Sequence, residues 1–235
     1  MQLFYNPSLT TASKHFTLNR EESKHVVKVL RKKEGDQIQI TDGKGNLYHG
    51  TVMLAHSNKC ELDIAFAKAA SPLPYQLHIA IAPTKMNDRM EWFLEKATEM
   101  GITKVTPLLC DHSERKKVNL ERYERILVSA MKQSLQFHLP ELAPLTKFED
   151  FVRSEIQGTQ LIAHCEDQQK TELSQLVQPK TTTTILIGPE GDFSEREIAQ
   201  AITNGFLPTA LGNTRLRTET AGIYCAAVLN QVNAV

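Results

Sequence analysis

Cysteine is scarce in this chain and what there is lies far apart. Cys60, Cys110, Cys165 and Cys225 form no CxxC pair and have no histidine at metal-ligand spacing, so buried free thiols are expected rather than a zinc site or a disulfide framework. No apolar run approaches the length of a membrane span. The opening Met1-Gln2-Leu3-Phe4-Tyr5-Asn6-Pro7 lacks a basic stretch followed by an apolar one, which makes a cytoplasmic protein the expectation. Neither GxGxxG nor GxxxxGK followed by Ser or Thr occurs, which argues against enzymes that grip a nucleotide phosphate with such loops. Net charge is missing too: 27 Lys and Arg balance 27 Asp and Glu, unlike a generic nucleic-acid coat protein. Internal repeats and low-complexity segments are absent.

What is present is an ordinary globular composition, 41% hydrophobic and 23% charged, over 235 residues, enough for one large domain or two small ones. The zero net charge hides an asymmetry. From Pro140 to Val235 there are twelve acids and seven basic residues, so the first 139 residues carry the opposite excess. Lys24, Lys28, Arg31, Lys32 and Lys33 fall in ten residues without an acid, and Arg115-Lys116-Lys117 forms a second cluster. Dense cations attract phosphate through counterion release, so any nucleic-acid surface is expected there; a solvated helix face is the plain alternative.

Residues 1–70 read as a compact β-rich unit around one short helix. In that helix Val26, Val29 and Leu30 share one face and Lys24, Lys28 and Arg31 another. Gln37-Ile38-Gln39-Ile40 alternates, Leu47 to Leu54 returns after Asp42-Gly43 and Gly45-Asn46, and Lys59 to Phe66 alternates again. Lys68 to Pro74, with two prolines, is the linker candidate. Over 75–235 the pattern changes to strand, helix, strand, helix, which means a parallel α/β sheet. Gln76 to Ala82, Lys104 to Leu109, Gln160 to Cys165 and Thr184 to Ile187 are its strands. Met90, Phe93, Leu94, Ala97 and Met100 recur at helical spacing up to Gly101, and Asn119 to Phe137 is a long amphipathic helix. Trp92 and the methionines at helical spacing are assigned to the core.

The segment from Thr184 to Asn230 organises the second half. Its apolar strand ends at Gly188-Pro189-Glu190-Gly191-Asp192, and the capping box Ser194-Glu195-Arg196-Glu197 then opens a helix to about Asn204. Gly188 and Gly191 are expected to turn with positive φ and to let a ligand approach the backbone. A second loop runs from Leu211-Gly212 through Leu216-Arg217-Thr218-Glu219-Thr220 into the small-residue helix beginning at Ala221, with Thr218 or Thr220 as its cap and early turns that suit packing hard against other backbone. Lined by Ile187, Leu211, Leu216 and Ala221, the two loops would suit a flat heteroaromatic ring. Spacing alone is equally compatible with two ordinary strand-to-helix turns.

The literal residues go further. Leu186-Ile187-Gly188-Pro189-Glu190-Gly191, Leu211-Gly212 and Leu216-Arg217-Thr218-Glu219-Thr220-Ala221 resemble the C-terminal signature of the SPOUT, or trefoil-knot, RNA methyltransferases, and most closely the RsmE family. Its members methylate N3 of a uridine in 16S ribosomal RNA of the small subunit. The resemblance takes in His25 to Arg31, Lys85 with Glu95 to Gly101, Gln133-Ser134 and Leu139-Pro140, and so covers nearly the whole chain. It implies a knotted α/β methyltransferase domain over 75–235, a PUA-like RNA-binding β-barrel over 1–70, a homodimer, and no metal. S-adenosylmethionine is the implied cofactor, held by Ile187, Gly188, Pro189, Glu190, Gly191, Leu211, Gly212, Leu216, Arg217, Thr218 and Ala221. Arg217 is the candidate to favour the uracil anion. Glu190 or Glu219 would act as base or attract the sulfonium, although Glu219 could instead pair with Arg217 or support the last helix. Lys24, Lys28, Arg31, Lys32, Lys85, Arg115 and Lys116 are the candidate RNA contacts, and Glu166 could approach the cofactor's ribose. A non-catalytic RNA-binding or ribosome-assembly factor with the same fold is the competing expectation. Two departures from the family stand out. Asp192 replaces an expected second glycine, and Lys132-Gln133-Ser134-Leu135-Gln136 lacks an expected glycine and arginine.

Overall fold

The alternation in Gln37-Ile38-Gln39-Ile40 does what a period of two requires: both isoleucines are buried and Gln37 is exposed. In the computed structural model, which describes residues 2–234, this strand lies in the first of two compact units, Met1–Pro72 with Met131–Leu139. Its strands are β1 (Leu3–Tyr5), β2 (His15–Thr17), β3 (Gln37–Thr41), β4 (Asn46–Leu54) and β5 (Glu61–Ala69). They form one sheet in the order β1-β3-β4-β5-β2, antiparallel except for the β1–β3 pair. Phe4, Leu18, Val26, Ile40, Tyr48, Val52 and Leu62 pack together on it.

The helix of this unit departs from its sequence pattern. Asn19 caps α1 (Arg20–Lys24), and the chain then continues as a π-helical turn over His25–Val29, with the Leu30 N–H donating to the His25 carbonyl. A π turn takes in one more residue than an α turn, so a 3.6-residue period no longer tells which side chains share a face. Val26 is fully buried while Val29, expected beside it, is 66% exposed next to Lys28.

The second unit, Leu73–Ala130 with Pro140–Val235, is the α/β part. In chain order it contains β6 (Gln76–Ile81), α2 (Asn87–Glu99), β7 (Lys104–Leu109), most of α3 (Leu120–Gln133), β8 (Glu141–Leu142), β9 (Thr146–Lys147) and α4 (Phe148–Val152). There follow β10 (Thr159–Ala163), β11 (Thr171–Glu172), α5 (Leu173–Leu176), β12 (Thr182–Ile187), α6 (Glu195–Thr203), β13 (Leu207–Ala210) and α7 (Thr218–Asn233). Seven strands lie in the order β11-β13-β10-β12-β6-β7-β8, every pair parallel, and β9 adds to β7. The apolar runs Ile79-Ala80-Ile81 and Ile185-Leu186-Ile187 are buried throughout, as expected of strands covered on both faces. Ala80, Ile162 and Leu186 join a cluster with Phe148 and Phe151 of α4, Phe193, and Ile198 and Ala201 of α6. α7 packs against β6, β12 and α2.

At Gly222, α7 accommodates side chains rather than another backbone. A Cβ placed on Gly222 would stand 2.5 Å from the Phe93 ring and 3.2 Å from Ile81 Cδ1. Other expectations shift as well. Gly101 closes α2 with φ +87°, as read, but Trp92 is 47% exposed instead of core. α3 stops at Gln133, short of Phe137, because Leu135 takes a left-handed backbone with φ +57°. No helix among the described residues is long and apolar enough to cross a membrane.

Candidate functional site

Three adjacent parallel strands, β13, β10 and β12, end on one edge, and the loops that leave them enclose a cavity of about 650 Å³. Ligands of open parallel sheets collect outside the carboxyl ends of the strands, and small-molecule sites span roughly 300–1,000 Å³. The end of β10 gives Ala163, and the loop after it gives His164, Cys165 and, a little further on, Lys170. The loop after β12 gives Ile187, Gly188, Pro189, Glu190 and Asp192, and the chain from Thr209 to Leu216 lines another wall. Arg217, Thr218 and Ala221 complete it from the start of α7. The two glycine bends therefore share one cavity.

Side-chain hydrogen bonds hold these loops to one another. Thr218 or Thr220 was expected to cap α7; instead Arg217 is the N-cap without a side-chain bond, and the buried Thr218 hydroxyl donates to the Gly188 carbonyl at 3.0 Å. That carbonyl lies just beyond β12 and takes no backbone donor outside the ladders among the described residues, so the hydroxyl joins the two bends instead of serving its own helix. Asp192 adopts φ +64°, the conformation a glycine would have supplied. Its Oδ2 accepts from the Cys165 N–H at 2.6 Å, which ties the β12 loop to the end of β10. The positive φ expected at Gly188 and Gly191 is not found; among these loop residues it falls on Asp192 and on Gly212, at +89°. Gly188 and Gly191 serve close packing. A Cβ on Gly188 would meet the Phe193 ring at 3.1 Å, and one on Gly191 would meet His112 Cβ at 3.3 Å. The capping box of α6 forms as read, and Ser194 also donates to Asp111 Oδ2 at 2.6 Å. That hydroxyl first, and the Arg196 guanidinium second, hold the Asp111 carboxyl below its ordinary pKa.

Of the candidate cofactor residues, Ile187, Gly188, Pro189, Glu190, Leu211, Gly212, Leu216, Arg217, Thr218 and Ala221 all line the cavity, whereas Gly191 does not. Glu190 Oε1 accepts from the Lys85 N–H at 2.9 Å, which anchors the loop to the β6–α2 junction. Glu219 lies off the cavity wall; it is buried, with Oε1 3.8 Å from Arg89 Nε, and Oε2 has no hydrogen-bond partner among the described residues. The Lys85 ammonium pairs with Glu114 at 2.8 Å. Arg115 spends its guanidinium on the carbonyls of Thr84 and Lys85, while Lys116 is exposed. In the first unit, Lys24 and Lys28 border a hollow of about 500 Å³ with Arg20, Glu21, Ser57 and Asn58. Arg31 is exposed and Lys32 half-buried.

From sequence, His164 and Asn213 to Arg215 lie beside the expected site without a role of their own and Lys170 and Thr209 are unremarked, yet all are on the cavity wall, whereas the favoured Glu166 is not. Lys170 Nζ donates to the carbonyls of His164 and Glu166, at 2.8 and 2.7 Å. Burial first and the Lys170 charge second push the His164 pKa down. Burial, then Asp192, pushes the Cys165 thiol up, so that sulfur stays protonated near neutrality. Among the described residues no group of three or more His, Cys, Asp or Glu side chains is placed to hold a metal ion.

Comparison with known proteins fits this geometry. The family described as an RNA methyltransferase domain matches residues 71–230, and that described as an RNA methyltransferase PUA domain matches residues 18–65. The chain is 30% identical over 230 residues to ribosomal RNA small subunit methyltransferase E of Synechocystis sp., covering 95% of this chain and 72% of that protein. A crystal structure described as a probable rRNA-methyltransferase from Porphyromonas gingivalis is similar with a TM-score of 0.90 and 35% identity, covering 100% of this chain and 99% of that one. A methyltransferase structure from Legionella pneumophila, in complex with the bound cofactor SAM, gives a TM-score of 0.85 and 28% identity over 98% and 97% of the two chains.

Proposed function

This chain belongs to the ribosomal RNA small subunit methyltransferase E family, and we propose on that footing that it transfers a methyl group from S-adenosylmethionine to N3 of a uridine in 16S ribosomal RNA. The observation that carries this is the single cavity built from both glycine bends at the carboxyl ends of β10, β12 and β13. The wall fits an adenosyl group. Ile187, Leu211, Leu216 and Ala221 offer apolar surface for a flat ring, and Asn213 and Thr214 bring exposed polar groups to the same wall. The related Legionella structure holds SAM.

Bound there, S-adenosylmethionine supplies an electrophilic methyl group on a sulfonium. The protein's share is to hold cofactor and base in line, which lowers the barrier by proximity, and to stabilise charge as uracil N3 loses its proton. Arg217, exposed at the cavity rim, is the proposed partner of the uracil oxygens. Glu190, fixed by the Lys85 N–H, is the proposed carboxylate on the cavity wall. Glu219, off the wall, is the weaker candidate for base. In this reading residues 1–70 form an RNA-binding domain and 75–235 the catalytic domain, with two copies of the chain per enzyme and the basic side chains of the first unit meeting RNA phosphates.

Incubating the protein with methyl-labelled cofactor and small ribosomal subunits, then mapping the modified base, tests the proposal. Saturating cofactor should also raise thermal stability, by about 2.7 kcal/mol at a hundredfold excess over Kd. RNA binding without a melting shift or methyl incorporation would overturn the catalytic reading in favour of an assembly factor.

A further inference from the structure

Two consecutive residues soon after β7, Asp111 and His112, grip the loop between β12 and α6, and neither lines the cavity. The Asp111 N–H donates to Glu197 Oε1 at 2.9 Å, and its carboxylate accepts from Ser194 and Arg196, which fixes the start of α6. His112 Nδ1 lies 3.2 Å from the Gly191 carbonyl oxygen and 3.1 Å from that of Asp192. Carbonyl oxygens only accept, so Nδ1 carries the hydrogen and shares it between the two. No other hydrogen bond to either carbonyl is found among the described residues. Gly191 permits this approach, since a Cβ there would stand 3.3 Å from His112 Cβ. Asp192 has the left-handed backbone, φ +64°, that a residue with a side chain adopts less readily than glycine. Its carboxylate is held by the Cys165 N–H and its carbonyl by His112, so the bend is fixed from two sides.

We propose that His112 is a positioning residue for methyl transfer: its Nδ1–H orients the Gly191-Asp192 bend so that Pro189 and Glu190 stand on the cavity wall before any ligand arrives. It acts through the loop and touches no ligand. The bend itself is closed by one backbone bond, from the Asp192 N–H to the Pro189 carbonyl at 2.9 Å, and Pro189 has no N–H to add another. A donor from outside is what keeps its carbonyls from rotating. A loop that spends only part of its time in the binding-competent form raises the apparent dissociation constant by the inverse of that fraction. The clamp keeps that fraction high. The inference rests on the S-adenosylmethionine reading above.

Calorimetric titration with S-adenosylhomocysteine tests this on wild type and three variants. His112→Leu removes the donor, His112→Asn puts an amide nitrogen where Nδ1 stands, and His112→Gln puts it one bond further out. H112L and H112Q should bind about fivefold more weakly, the worth of one neutral hydrogen bond, and H112N should come within about twofold of wild type. In methyl transfer to small ribosomal subunits, the KM of H112L for S-adenosylmethionine should rise by the same factor while kcat falls much less, because saturating cofactor recovers the competent loop. Amide exchange from Glu190 to Phe193 should quicken in ligand-free H112L and slow again in H112N. The side chain is exposed, so the melting temperature should not change. Equal affinities of wild type and H112L, or H112N binding as weakly as H112L, would overturn the proposal. Should H112L melt lower, the comparison of H112N with H112Q decides, and equal affinities of those two would overturn it as well. Failure of wild type to bind S-adenosylhomocysteine would instead refute the cofactor reading, a result these measurements keep distinct.

Discussion

At the scale of single residues, the contact between Thr218 and Gly188 joins the two bends that make the site. Thr218→Val keeps the shape of the side chain but leaves the Gly188 carbonyl without its donor, at 3.0 Å in the native chain. The expected cost is about 1–2 kcal/mol of stability, read as a lower urea midpoint, together with weaker cofactor binding. A variant with an unchanged midpoint would show that water replaces the hydroxyl. His78 carries a different prediction. Burial first, and the Lys104 charge second, push its pKa down to about 4, while its Nε2 lies 2.7 Å from the Thr106 hydroxyl. The folded state thus prefers the neutral ring relative to an unfolded pKa near 6.5. Its contribution is fully present above about pH 6.5 and is lost as pH falls toward 4, by at most about 3 kcal/mol. Denaturation of wild type and His78→Gln across that window should show the wild type losing more stability on acidification, and parallel curves would refute the assignment.

At the scale of elements, α7 lies against α2 and β6 only because position 222 has no side chain, since an added Cβ would stand 2.5 Å from the buried Phe93 ring. Gly222→Ala should therefore destabilise by about 1–3 kcal/mol, the usual cost of overpacking, against the gain in helix propensity that alanine would bring at an open site. A melting temperature equal to or above wild type would mean that Phe93 can move aside. Leu135 makes the converse case. Its left-handed backbone, φ +57°, carries strain that glycine would not. Leu135→Gly should raise stability by up to about 1 kcal/mol, whereas Leu135→Ala, which keeps a Cβ, should not; equal urea midpoints for the two would remove strain as the explanation. Both positions show what sequence conveys about elements. The run of small residues in α7 was legible as a tight contact, and the strand ends at Gly188 and Gly212 were legible as a ligand edge. What the contact was with, a phenylalanine ring, depends on residues more than a hundred positions away and leaves no local trace. The π turn at His25–Val29 escaped for a related reason: a single widened turn is invisible to a pattern that assumes a constant period, so Val29 was placed on the wrong face. β8, β9 and β11 have two residues each, too few for any periodicity to register.

At the scale of the whole molecule, the basic excess of the first 139 residues pointed to an RNA surface, but a tally of charge does not distinguish cations that face solvent from those already engaged. The structure makes that distinction. Arg115 is bound to the carbonyls of Thr84 and Lys85, and Lys85 is paired with Glu114, whereas Lys24 and Lys28 are exposed beside Arg20 around a hollow in the first unit. Only cations that release counterions on binding contribute to the salt dependence of affinity, at about 0.7 in the slope of log K against log salt per phosphate on single-stranded RNA. Lys24→Ala with Lys28→Ala should therefore flatten that slope by about 1.4 if each meets one phosphate, with cofactor affinity unchanged. Arg115→Ala should leave the slope nearly as it is and lower stability instead, because it strips two carbonyls of their donor. Binding of a 16S RNA fragment measured from low to physiological salt separates the two, and a slope that responds to Arg115 but not to the lysines would move the RNA surface from the first unit to the second.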